Sequence, residues 1–249
     1  MAIWRASALL ALALPLLARG GASITPSGAA VPENLLRIEV HLDHPLSAPL
    51  DMARVALFDH AGAPIGDAFL DLPLAAPDGR NVTLLLHPGR IKTGVGPNVA
   101  LGPALRSGET VTLRISDPQL GRPLAQRWRI GPPLRQRLDP RQWRVQAVRC
   151  GSRQALRVLL PAALDGAAAG LIAVQAADGS RVTGSARMLA GEREWLFTPV
   201  RDWRRGAYVL RVHPQLEDPQ GNRMCAAFEE AGQSAQQCRD EGRVAFIID

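Results

Sequence analysis

Lysine is almost missing from this chain of 249 residues: Lys92 stands alone against 28 arginines. Alanine, leucine, proline and glycine are abundant beside them, a skew of the kind a GC-rich coding sequence imposes. The formal charge of +6 therefore reflects which cation the chain uses, and no nucleic acid is expected as a partner. Catalytic signatures are missing too. No Gly-x-Ser-x-Gly elbow, His-Glu-x-x-His pair or Gly-rich phosphate loop occurs, which removes the hydrolases and nucleotide enzymes built on those motifs. No Asp-x-Asp-x-Asp-Gly calcium loop occurs either. The chain is read as a non-enzyme without a cofactor.

A membrane helix needs about 20 consecutive apolar residues, and none is found. The chain opens with Met1, carries Arg5, and is then apolar from Ala8 to Ala18, with Pro15 inside the run. Eleven residues suit a signal-peptide core and are too few for a permanent anchor. Ala18-Arg19-Gly20 and Gly20-Gly21-Ala22 both fit the small-x-small cleavage preference, so residues 1–22 are assigned to a cleaved signal peptide. The expected location is the periplasm or the extracellular space, with no stable membrane anchor. Only three cysteines occur, and in an oxidising compartment two of them can pair. Cys225 and Cys238 close a short loop and are the expected disulfide, which leaves Cys150 as a small buried apolar residue.

Helical periodicity is absent after the signal. Period two takes its place: Leu36, Ile38, Val40 and Leu42 share one face, with Arg37, Glu39, His41 and Asp43 on the other, solvated face of a half-buried strand. The same alternation returns at Val82–His87, Val111–Ile115, Leu124–Ile130, Leu156–Val158, Tyr208–Val212 and Val244–Ile248. Turn signals separate these runs at Asp59–Gly62, Asp78-Gly79, Asp178-Gly179 and Gly221-Asn222. Asp71, Asp78 and Asp178 are read as turn formers. The mature chain is expected to be all-β.

Five matches in the same order divide it. Leu36–Ile38 answers to Leu156–Val158, Val55–Asp59 to Val174–Asp178, Leu84–Pro88 to Trp195–Pro199, Leu113–Ile115 to Leu210–Val212, and Asp117-Pro118-Gln119 to Asp218-Pro219-Gln220. Duplication predicts two tandem Ig-like β-sandwich domains, residues 23–131 and 141–249, joined by a stiff Pro-rich linker over 132–140. An insertion at Ile91–Pro103 and an excursion at Met224–Glu241 are the long loops where recognition is expected.

The second half carries Asp178-Gly179-x-x-Val182-x-Gly184, Trp195-x-Phe197-x-Pro199, Gly206-x-Tyr208-x-Leu210-x-Val212 and Asp218-Pro219-Gln220-Gly221-Asn222. In these residues it resembles the bacterial Ig-like domain of the surface-layer (SbsA-type) class. The resemblance implies an Ig-like sandwich in an extracytoplasmic, usually non-catalytic protein. The first half, from Val31-Pro32-Glu33-Asn34 through Asp78-Gly79-Arg80 to Pro88-Gly89-Arg90, resembles the N-terminal part of uncharacterised exported bacterial proteins, and that resemblance brings no function with it.

Five histidines raise the alternative of a periplasmic metal or small-molecule carrier. His41 and His44 are three apart on a strand and point to opposite faces, and His60, His87 and His213 are spread over turns and strand ends. No metal site is assigned. Glu229-Glu230 is read as a solvated pair in the Cys225–Cys238 loop, not as an acid/base dyad. The strongest feature is a run from Arg122 to Arg157 with ten arginines and the single acid Asp139. Arg127 and Arg129 flank Trp128 and Arg144 follows Trp143, a pattern that suggests guanidinium groups alternating with ring faces. Arg127, Arg129, Arg135, Arg137 and Arg144 are taken as the candidate surface for an anionic envelope component or another envelope protein.

Overall fold

The computed structural model describes residues 21–249 apart from 93, 95, 190 and 229–241. Most of the signal-peptide assignment, together with Glu229, Glu230 and Cys238, lies outside the described residues.

In the first half the alternating runs form β1 (Ser23–Thr25), β2 (Ala30–Pro32), β3 (Arg37–His41), β4 (Val55–Phe58), β5 (Leu74–Ala75), β6 (Asn81–Leu85), β7 (Thr110–Ile115) and β8 (Leu124–Gly131). In the second half they form β9 (Arg144–Val145), β10 (Leu156–Leu159), β11 (Ile172–Ala176), β12 (Gly184–Met188), β13 (Glu194–Pro199), β14 (Gly206–Val212) and β15 (Arg243–Ile248). These strands make sheets in the order β1-β3-β6-β5, β2-β8-β7-β4, β12-β13-β10-β9 and β11-β14-β15. Only β2 with β8 pairs parallel among the described strands. The fold is mostly β, of the Ig-like sandwich kind expected from the sequence.

Pairing recurs between the halves. β3 lies on β6 with Ile38 opposite Leu84, and β10 lies on β13 with Val158 opposite Trp195. The pairs β4–β7–β8 are matched by β11–β14–β15. Turn glycines with positive φ, Gly62, Gly79, Gly179 and Gly221, sit where the sequence places the hairpin and loop reversals.

Buried side chains fall into two clusters. The first runs from Ile24 to Ile130 and the second from Trp143 to Ile248. Trp128 lies at the bottom of the first, with its indole N–H donating to the Pro26 carbonyl at 2.9 Å. The second is built around a chain of rings, Trp195, Phe197, Trp203, Tyr208 and Phe246, each 5.5 to 6.0 Å from the next, at separations where aromatic pairs attract beyond their buried area.

Four expectations need correction. Trp128 is 1% and Trp143 6% exposed, so neither ring interleaves with arginines on the surface; in a strand the flanking residues point the opposite way. Cys150 is exposed and free, because it sits in the tight turn after β9 and not on a core-facing strand position. The Ile91–Pro103 insertion contains α2 (Gly96–Leu101) and follows directly from α1 (Pro88–Ile91). Arg90, buried, ties its base by donating to the carbonyls of Gly66, Gly102 and Pro103. Finally, the charged face of β3 is not a solvated one, as follows.

Candidate functional site

The outer face of sheet β1-β3-β6-β5 presents Arg37, Glu39 and His41 in a row along β3, two residues apart. Their register neighbours on β6 are Leu85, Thr83 and Asn81. The second half covers this row. Asp165 caps the short 3-10 helix Gly166–Leu171, and that helix's first turn lies over the row beside the Gln215–Glu217 stretch. Glu39 is thereby reduced to 9% exposure. Between the two surfaces lies a cleft of about 580 Å³.

Arg37 is the electrostatic centre. Its guanidinium donates to Glu217 and lies 3.4 Å from Asp165. Burial opposes its charge, but Glu217 and Asp165 more than offset that and hold its pKa above the ordinary value. The backbone N–H groups of Leu36 and Arg37 both donate to the Pro219 carbonyl. A second tie holds Glu192, whose carboxylate accepts from the Ser27 amide and hydroxyl, each at 2.7 Å. A third joins Asn34 to both the amide and the carbonyl of Leu134, and Asn222 also donates to that carbonyl. The Pro-rich connector is thus fastened from both sides.

Further along the row, Thr83 donates to Glu39 at 2.8 Å. Burial raises the Glu39 pKa, only partly countered by Thr83. His41 Nδ1 lies 2.7 Å from Asn81 Oδ1 and its Nε2 lies 3.1 Å from Thr25 Oγ1. With Nδ1 protonated, this is the connectivity of a hydroxyl, a base and an orienting amide. Its position argues for a strut, however. Gly166 presses on it so closely that an added Cβ would lie 2.8 Å from Thr25 Oγ1 and 3.0 Å from His41 Nε2, leaving no room for a reacting group beside the hydroxyl.

The five candidate arginines are spread over several elements. Arg127 and Arg129 lie exposed on the outer face of β8, opposite Thr112 and Thr110 of β7. Arg114 of β7 shares that face and covers the Phe58 ring at 4.8 Å. Arg135 and Arg137 belong to the connector and already interact within the chain. Arg144 is on the edge strand β9, opposite Leu159. Acid partners neutralise part of the surrounding run: Arg141 pairs with Asp139, Arg153 with Asp202 and Arg157 with Glu194. Among the described residues, Arg127, Arg129 and Arg144 make no ion pair.

Cys225 packs against the second core, and the pairing expected for it ends on Cys238, outside the described residues. Among the described residues no three His, Cys, Asp or Glu side chains converge as metal ligands, and no helix is long and apolar enough to cross a membrane. The sequence reading missed the Arg37–Glu39–His41 cleft. Its one legible signal was a charged residue at every second position of β3, which the alternation assigned to solvent.

No protein-family model matches the chain, and no curated protein matches it. Similar solved structures include a chimeric titin Z1Z2 functionalised with a peptide from decorin, 12% identical, covering 79% of this chain and 91% of that one at a TM-score of 0.26. The titin domains Z1Z2 in complex with telethonin are 10% identical, covering 93% and 89% at a TM-score of 0.21. A mouse coronavirus receptor-binding domain complexed with its murine receptor is 11% identical, covering 78% and 92% at 0.19. Likeness at this level carries nothing about function, and the Ig-like reading rests on the strand pairing itself.

Proposed function

We propose that this chain is a non-catalytic, exported, envelope-associated binding or structural module of two Ig-like sandwiches, and that it docks an anionic envelope component. The surface-layer resemblance of the second half supports the class. The observation that carries the docking face is the outer side of β7 and β8, where Arg114, Arg127 and Arg129 stand exposed with no acid opposite them among the described residues. Exposed guanidinium groups on a rigid sheet offer paired donors to phosphate or carboxylate. The halves are tied by Arg37, Glu192 and Asn34, so the face is held at a set angle to the second sandwich.

Sedimentation with vesicles containing anionic phospholipid tests the reading. Binding is expected to weaken about tenfold on raising salt from low to several hundred millimolar, and to weaken comparably in the double variant Arg127→Ala/Arg129→Ala at low salt. Binding that survives both changes removes this face from the function.

A further inference from the structure

The cleft over β3 is lined by polar groups that hold one another in place and still have bonding capacity to spare. Thr83 takes one Glu39 oxygen and Asn81 Oδ1 is taken by His41. Among the described residues no donor reaches the other Glu39 oxygen, no acceptor takes the Asn81 amide hydrogens, and the Gln215 side-chain amide is unused. The opposite side is apolar. Leu74, 42% exposed at the lip, faces the cleft together with Leu171, Ala167 and Ala168. A volume of about 580 Å³ is within the range of small-molecule sites, which pair an apolar wall with a few fixed polar groups.

Charge narrows the occupant. Arg37 is the one guanidinium facing the cleft from β3, and it is spent on Asp165 and Glu217; Glu217 also pairs with Arg223, and Glu39 adds a third carboxylate that makes no ion pair among the described residues. A phosphate or carboxylate ligand would meet the unpaired Glu39 carboxylate, with both guanidinium groups already engaged by Asp165 and Glu217 and none free to answer it. Among the described residues no three His, Cys, Asp or Glu side chains converge there as metal ligands. What fits is a molecule that is hydroxylated, neutral or cationic, and apolar on one side.

We propose that this cleft is a saccharide-binding site that favours an amino sugar. The ammonium lies against Glu39, hydroxyls bond to Asn81 and Gln215, and the C–H face of the ring packs on Leu74 and Leu171. The site shares no residue with the arginine face of β7 and β8, so each can fail without the other.

The test is calorimetric titration of the mature chain, backed by saturation-transfer NMR, with glucosamine, glucose and glucose 6-phosphate as probes. Glucosamine is expected to bind saturably in the millimolar range or tighter, glucose about tenfold more weakly for want of the charge-assisted bond, and glucose 6-phosphate not at all. Glu39→Gln should erase the difference between the first two. Ala167→Trp, at an exposed cleft position where a large side chain fills space without disturbing the polar row, should abolish binding of both. The proposal is overturned if neither sugar binds, if glucose 6-phosphate binds as well as glucosamine, or if Ala167→Trp binds like the parent.

Discussion

Asp117 and Asp218 hold matching Asp-Pro-Gln turns. Asp117 accepts from the Gln119 and Asp51 amides, and Asp218 from the Gln220 and Asn222 amides and the Asn222 side chain. Their acidities nevertheless diverge. Burial pushes Asp117 up, but its amide donors outweigh that and leave its pKa below the ordinary value. For Asp218, which is completely buried, burial wins over the same kind of hydrogen bonds and the pKa rises to about 6. A carboxyl whose folded pKa exceeds its unfolded value binds its proton more tightly in the native state, so its contribution is complete below about pH 4 and is lost as pH rises through 6. The loss is on the order of 3 kcal/mol. Glu39, also raised, acts in the same direction, whereas Asp139 is lowered, chiefly by Arg141, and loses its contribution in stronger acid. Stability is therefore expected to peak in mild acid, with a higher urea midpoint at pH 5 than at pH 7.5. Asp218→Asn keeps one oxygen for both amides and should flatten that slope; an unchanged slope would mean the buried carboxyl is not its source.

At the level of elements, strands of four residues or more with clean alternation were legible, since β3, β6, β7, β8, β10, β14 and β15 each contain a run read from period two. β1, β2 and β9 were not. Two or three residues carry no period, and they are strands only because a longer neighbour supplies the hydrogen bonds, as β3 does for β1. The candidate site was illegible for a related reason: alternation tells which side of a sheet a residue faces, not whether another part of the chain covers that side. Arg37, Glu39 and His41 look like a solvated stripe until the Asp165–Ala168 turn is laid over them. The Ile91–Pro103 insertion, read as a loop, carries the short α2 instead, beside α1, which His87 caps and Arg90 fixes at its base; segments this short leave no helical period to read. The excursion after Met224 is expected to be held by Cys225–Cys238. Mass spectrometry of non-reduced digests should link these two, with reduction costing about 3 kcal/mol in a loop of this length. A peptide linking Cys150 instead would overturn the pairing; with Cys225 and Cys238 joined, Cys150, exposed in its turn, is the thiol that alkylates.

Across the whole molecule, the two cores share no cluster, so each could in principle melt alone. The junction opposes this. Pro219 accepts two backbone bonds from Leu36 and Arg37, Glu192 accepts two from Ser27, and Leu134 of the connector is held by Asn34 on one side and Asn222 on the other. At about 1 kcal/mol net each, these sum to a sizeable part of the roughly 5–15 kcal/mol that holds a domain together, enough to couple the halves into one transition. Arg37 is the member whose loss does most damage, because Asp165 would then have no cation and Glu217 only the more exposed Arg223 on its far oxygen, with Glu39 nearby. Removing one partner of a buried pair costs about 3–5 kcal/mol, and with Arg37 about one-fifth exposed the figure is discounted to about 2–3 kcal/mol. Scanning calorimetry at neutral pH should accordingly give a single endotherm for the parent and two for Arg37→Ala, the added one at lower temperature. Two separated endotherms in the parent, or one unshifted endotherm in the variant, would show that the halves are merely adjacent and that the cleft between them is not held at a fixed width.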